Sequence, residues 1–158
     1  MLIRKHTQRM SGESIADLIG QLHIKNVPAL IRARGSSMAP FIQDGDLMTI
    51  LPPKKTGLGD IVAFLKPESK EFIVHRIVGK SGTHFIAKGD NVFGPSDLIS
   101  SSNIIGAVIE TKRSFGKIQR MGFGPEKKII GILSRLKILN IILFFWKNLL
   151  RYTTCILL

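Results

Sequence analysis

The run GDIVAFLKPESKEFIVHRIVGKSGTHFIAKGDN, residues 59–91, decides the fold. Short pieces rich in Val, Ile and Phe alternate there with Pro67-Glu68-Ser69-Lys70 and Ser81-Gly82. β-branched and aromatic side chains suit a pleated, half-buried strand, whereas Gly, Pro, Ser and Asp favour turns. The spacing predicts strands over 60–66, 71–79 and 83–88. Outward from this run the same pattern predicts strands over 29–34, 46–51 and 104–110. They are broken by Gln43-Asp44-Gly45, Pro52-Pro53, Gly57-Leu58-Gly59 and the stretch from Gly89 to Ser102. Short strands at such close spacing imply a mainly β fold, a compact antiparallel domain over residues 27–110.

The flanks read differently. Ser11 to Lys25 predicts a helix: Ser11 or Ser14 can cap it, and Ile15, Leu18, Ile19 and Leu22 recur at helical spacing. Residues 1–26 therefore form a short N-terminal helical segment. The first ten residues are polar and basic, unlike a secretory signal or a membrane span. Residues 111–128, with Gly116, Gly122, Gly124 and Pro125, read as a basic linker. Residues 129–158 predict an amphipathic, hydrophobic C-terminal helix. Lys137, Asn140, Lys147, Asn148 and Arg151 fall on one narrow face of it.

The net charge of +12 is concentrated at that end. Residues 1–110 hold 13 basic and 10 acidic residues, whereas residues 111–158 hold 10 basic residues and the single acid Glu126. A local basic tail calls for an anionic partner of the tail alone, from among lipid headgroups, nucleic acid or an acidic protein; a membrane surface is expected and nucleic acid is not. The longest uncharged stretch of the tail, Ile138 to Trp146, has nine residues. A span needs about 20, and Lys147 or Arg151 near its centre would cost roughly 2.5–3.5 kcal/mol each. An in-plane helix with cations at the headgroups and Trp146 at the interface fits better, which implies a membrane-associated, peripheral or monotopic protein. The alternative is a helix packed on a protein surface.

Three segments carry residues able to do chemistry. Gly35-Ser36-Ser37-Met38-Ala39-Pro40 makes a turn where backbone N–H groups can surround an exposed serine, as an oxyanion hole requires. Serine needs a base within hydrogen-bond reach. His75 lies in a predicted strand between Val74 and Ile77, where burial favours the neutral imidazole that a base must be. Asp90 and Asp97 follow in a loop-rich stretch, and either can orient the ring. The single cysteine, Cys155, excludes an internal disulfide and a Cys-rich zinc site. His23 and His84 lack partners at metal-ligand spacing, so no metal or cofactor is expected.

The order and spacing of these segments resemble the type I signal peptidases and their relatives, the self-cleaving repressors of the DNA-damage response. The matching boxes are Ser37-Met38-Ala39-Pro40, Gly45-Asp46, Gly59 to Phe64, VHRIVG around His75, and Lys88-Gly89-Asp90-Asn91. The resemblance covers roughly residues 30–110 and implies a β domain of signal-peptidase type. It implies Ser37 as nucleophile and His75 as general base, where most bacterial members carry lysine. The Ser-His form resembles the endoplasmic-reticulum, archaeal and sporulating-bacterial branch. That branch carries its assisting acid in an Asp-Asp pair shortly after Gly-Asp-Asn; here Asp97 lies about one residue late and the pair is absent, which leaves Asp97, Asp90 or a Ser-His catalytic dyad without either. Gly35 stands where signal peptidases often carry an oxyanion-assisting serine, leaving the Ser37 N–H with Ser36 nearby; Met38 belongs to the substrate-binding segment.

The implied activity is serine endopeptidase action on a leader or signal peptide of a precursor, with small residues before the cut, at a bacterial or archaeal cell membrane. Alternatives are a dedicated maturation protease for one peptide precursor and a non-catalytic, membrane-associated module. A self-cleaving repressor fits less well: its base is lysine, and about 26 residues before the β region leave little room for a DNA-binding domain.

Overall fold

The computed structural model describes residues 10–53, 55–113, 118–119, 123–139 and 141–145. Helix α1 is Gly12–Ile24, and the Ser11 side chain caps it by accepting the Ser14 N–H at 3.1 Å. Ile19 is fully buried and Ile15 and Leu22 pack beside it. Leu18, at the margin of that stripe, is exposed.

The strands are β1 Ala29–Arg32, β2 Leu47–Leu51, β3 Ile61–Leu65, β4 Phe72–Ser81, β5 His84–Lys88, β6 Asp97–Ile99, β7 Ile104–Lys112 and β8 Ile118–Gln119. They form one antiparallel sheet in the order β1-β2-β7-β3-β4-β5-β6, with β8 on β7. The mainly β, antiparallel architecture is thus as the sequence predicts. Strand β3 runs through the middle and is buried on both faces. Ile61 and Ala63 join the core beneath α1, and Val62 and Phe64 join a second core with Ile77, Phe85, Ala87 and Ile99. That explains its unbroken apolar run.

Two strands lie where the sequence reads as loop or linker. β6 is three residues long, too short for a period-2 signal, and exists through its register on β5, Phe85 opposite Ile99 and Ala87 opposite Asp97. β8 pairs with the end of β7 within the segment read as linker.

The sheet curls. β1 and β4 are four steps apart in strand order, about 19 Å if the sheet were flat. Yet residues from both line one cavity, beside Ile15 of α1.

Helix α2, Lys127–Arg135, packs against β4. The contact is close because two glycines meet: a Cβ on Gly131 would lie 3.3 Å from Cα of Gly59 and 3.3 Å from the Ile77 carbonyl oxygen. Lys127 reaches Asp60 at 2.6 Å, and buried Lys88 donates to the Ser134 carbonyl at 3.3 Å. α2 ends at Arg135 with Leu136 as its C-cap, Lys137 adopts φ 61°, and the chain is helical again at 138–139 and 141–145. The stretch predicted as one helix is therefore broken at Lys137, and Trp146, Lys147, Arg151 and Cys155 lie outside the described residues. Leu139 and Leu143 bury against Ile130 and Phe41. No helix among the described residues is long and apolar enough to cross a membrane.

Gly59 has φ +90°, and a Cβ there would sit 2.4 Å from the Lys127 carbonyl oxygen. Gly59→Ala should lower stability by about 3 kcal/mol, from strain and overpacking together. Thermal unfolding followed by circular dichroism checks this; an unchanged midpoint would contradict the packing.

Candidate active site

Ser37 lies in the turn after β1. Gly35 adopts φ +85°, a conformation that favours glycine, and its N–H is held by the Asp44 carboxylate at 2.7 Å. The turn closes through Ala39 N–H to the Ser36 carbonyl at 3.1 Å and Ile42 N–H to the Met38 carbonyl at 3.0 Å. Arg113 clamps the far side, donating to the Pro40 carbonyl at 3.0 Å and lying 3.9 Å from buried Asp46. Ser36 is exposed, Ser37 half-buried and Met38 buried.

His75 sits on β4 opposite Val62 of β3. Its Nδ1 is 2.9 Å from Oδ2 of Asp97, whose position follows from the β5–β6 register. Lys66 approaches the other oxygen of the same carboxylate at 3.3 Å. Burial pushes the His75 pKa below its ordinary 6.5; Asp97 by charge and hydrogen bond, and Asp90 by charge, pull it back up, while the Lys66 charge lowers it. The net effect is a neutral ring at neutral pH, with Nδ1 bound to an acid and Nε2 left for chemistry.

The Lys88-Gly89-Asp90-Asn91 box joins these parts. A Cβ on Gly89 would lie 2.8 Å from the Ser37 carbonyl oxygen and 3.0 Å from His75 Nε2, so only glycine lets the two approach. Asn91 donates its backbone N–H to the Ser37 carbonyl at 2.8 Å and its side-chain N–H to the Ser36 carbonyl at 3.1 Å. Asp90 binds Arg76 through Nε at 2.9 Å and Nη2 at 2.8 Å, with both side chains wholly buried. Of the two aspartates named from sequence, the structure sets Asp97 on the His75 ring and Asp90 on Arg76.

Ser37, Met38 and His75 line a common cavity of about 860 Å³. Among the described residues no side chain hydrogen-bonds the Ser37 hydroxyl; serine–histidine contacts often tighten only with substrate. Two strand edges flank the cavity. Among the described strands, β5 begins pairing with β4 at Arg76, leaving Phe72 to His75 without a partner on that side, and β1 pairs only with β2. Lys66 and Arg113 carry no motif that reveals them in sequence. Arg76 stands next to His75 in the box, but nothing local shows that it binds Asp90.

An antiparallel sheet presenting a serine-bearing turn beside an acid-bound histidine has the layout of a serine peptidase. Residues 8–109 match the family model described as Peptidase S24-like, and the chain belongs to that family, which makes it a serine peptidase domain. The superfamily implied by the sequence boxes is the one found. Comparison with curated proteins finds no match.

Two predictions separate the acids. Asp90→Asn leaves the Arg76 charge buried without its counter-ion and should cost about 3 kcal/mol of stability, whereas Asp97→Asn should cost about 1 kcal/mol or less. Chemical denaturation of both variants tests this ordering. Lys66→Ala removes a neighbouring positive charge, so the His75 pKa should rise, as read by an imidazole NMR titration. A fall would contradict the effect assigned to the Lys66 charge.

Proposed function

We propose that the chain is an endopeptidase that removes a leader or signal segment from a precursor, with Ser37 as nucleophile and His75 as base. One observation carries the reading: Ser37 and the Asp97-bound His75 share a cavity flanked by two strand edges that are unpaired among the described residues. An extended peptide can lie between such edges and complete its hydrogen bonds with main chain. The apolar lining by Ile31, Met38, Phe72 and Val74 accepts uncharged side chains of that peptide.

In the proposed reaction Ser37 Oγ attacks the scissile carbonyl while His75 Nε2 takes its proton. Asp97 holds the Nδ1–H and stabilises the imidazolium that forms. The Ser37 N–H faces the oxyanion, and its turn is already fixed by Gly35, Arg113 and Asn91. The imidazolium then protonates the leaving amine, and the neutral ring activates the water that hydrolyses the acyl-enzyme. A buried histidine does this more readily than lysine, which must lose several pKa units to become a base at neutral pH.

The test is cleavage of a precursor carrying a leader with alanine before the cut. Ser37→Ala and His75→Ala should each reduce kcat/KM by about 10³-fold or more, and Asp97→Asn by about 10²-fold. Undiminished cleavage by either of the first two would sink the mechanism. Since the neutral imidazole is the active form and its pKa is lowered, kcat/KM should fall to half its plateau at a pH below 6.5, and a midpoint above 6.5 would contradict this. A repressor-like cut of its own chain would instead appear as loss of the full-length protein at a rate independent of its concentration.

A further inference from the structure

We propose that α2 and the helical stretch after it seat the domain on an anionic lipid surface, independently of the reaction it catalyses. Each helical piece has a buried stripe and an outward apolar one. In α2 the inner stripe of Ile130, Gly131 and Ser134 is buried. On the opposite side Ile129, Ile132 and Leu136, at i, i+3 and i+7, are 63%, 47% and 59% exposed. In the second piece Leu139 and Leu143 are buried, while Ile138, Ile141, Ile142 and Phe145 make an outward stripe, Phe145 at 67% exposure. A helix on a sheet ordinarily turns polar residues to solvent. Here the outward faces are hydrophobic and edged by the exposed cations Lys128, Arg135 and Lys137.

Charge decides the occupant. Glu126, the single acid in residues 111–158, directs its carboxylate back to the Gly124 N–H at 3.2 Å. Protein interfaces are depleted in lysine, whereas a helix lying in a bilayer surface combines large apolar side chains with flanking Lys and Arg that meet anionic headgroups. The inner stripe rests on Phe41, four residues after Ser37, and the Arg76 guanidinium covers the Phe41 ring at 5.1 Å. The lipid-facing element is thereby packed against the segment that carries the serine.

The experiment is vesicle co-sedimentation of the full chain, with phosphatidylcholine alone and with phosphatidylcholine containing phosphatidylglycerol. Binding to the anionic vesicles, weakened by salt, is expected. The double variant Ile132→Glu/Leu136→Glu should bind at least about tenfold more weakly, as should Lys128→Glu/Lys137→Glu. The charge pair carries the test if circular dichroism shows that the first pair misfolds. Three results would overturn the proposal: no binding to anionic vesicles, binding unchanged by a folded variant, or self-association abolished by Ile132→Glu/Leu136→Glu without vesicle binding. The last would mean that a second copy covers the face.

Discussion

Arg76 and Asp90 lie side by side with no solvent exposure, and most of the site is built around that contact. Arg76 follows His75 on β4, and Asp90 stands between Gly89 and Asn91. The pair therefore ties the histidine strand to the box that holds the Ser36 and Ser37 carbonyls. The guanidinium also donates to the Gly59 carbonyl at 2.9 Å, where α2 docks, and covers Phe41. Such a pair contributes less to net stability than to geometry, because desolvation offsets much of the attraction. Burial pushes Asp90 toward its neutral form and Arg76 opposes this. Removing one partner alone would leave an uncompensated charge in the core.

Around this contact glycine sets the distances. Gly89 admits Ser37 and His75 to the same few ångströms, and the facing glycines 59 and 131 let α2 settle on the sheet. The rigid part of the site lies on strands, and the serine lies on a turn braced from three sides by Asp44, Arg113 and Asn91. The proposed nucleophile is thus held by backbone contacts while its hydroxyl stays available.

Much of the fold was legible because β-strands announce themselves through Val, Ile and Phe runs cut by Gly and Pro. The six strands read from that pattern all occur, as does α1 with its Ser11 cap. β6 and β8 were illegible because two or three residues cannot show a period, and their existence depends on a neighbour's register. The break at Lys137 was hidden for a related reason: an apolar run keeps helical periodicity across a turn that tertiary packing of Leu139 and Leu143 favours.

The sequence by itself determined the chemistry available: one serine in a glycine-bearing turn, one histidine in an apolar strand, two aspartates behind it, and a basic, apolar tail. It could not assign the aspartates, since both follow His75 through a loop-rich stretch and local spacing serves either. Only the tertiary structure decided that Asp97 meets the imidazole, because β6 pairs with β5, and that Asp90 meets Arg76, because both are shut away from water and each needs the other's charge. It also decided that β1 and β4, distant in strand order, face one cavity, because the sheet curls over the core beneath α1.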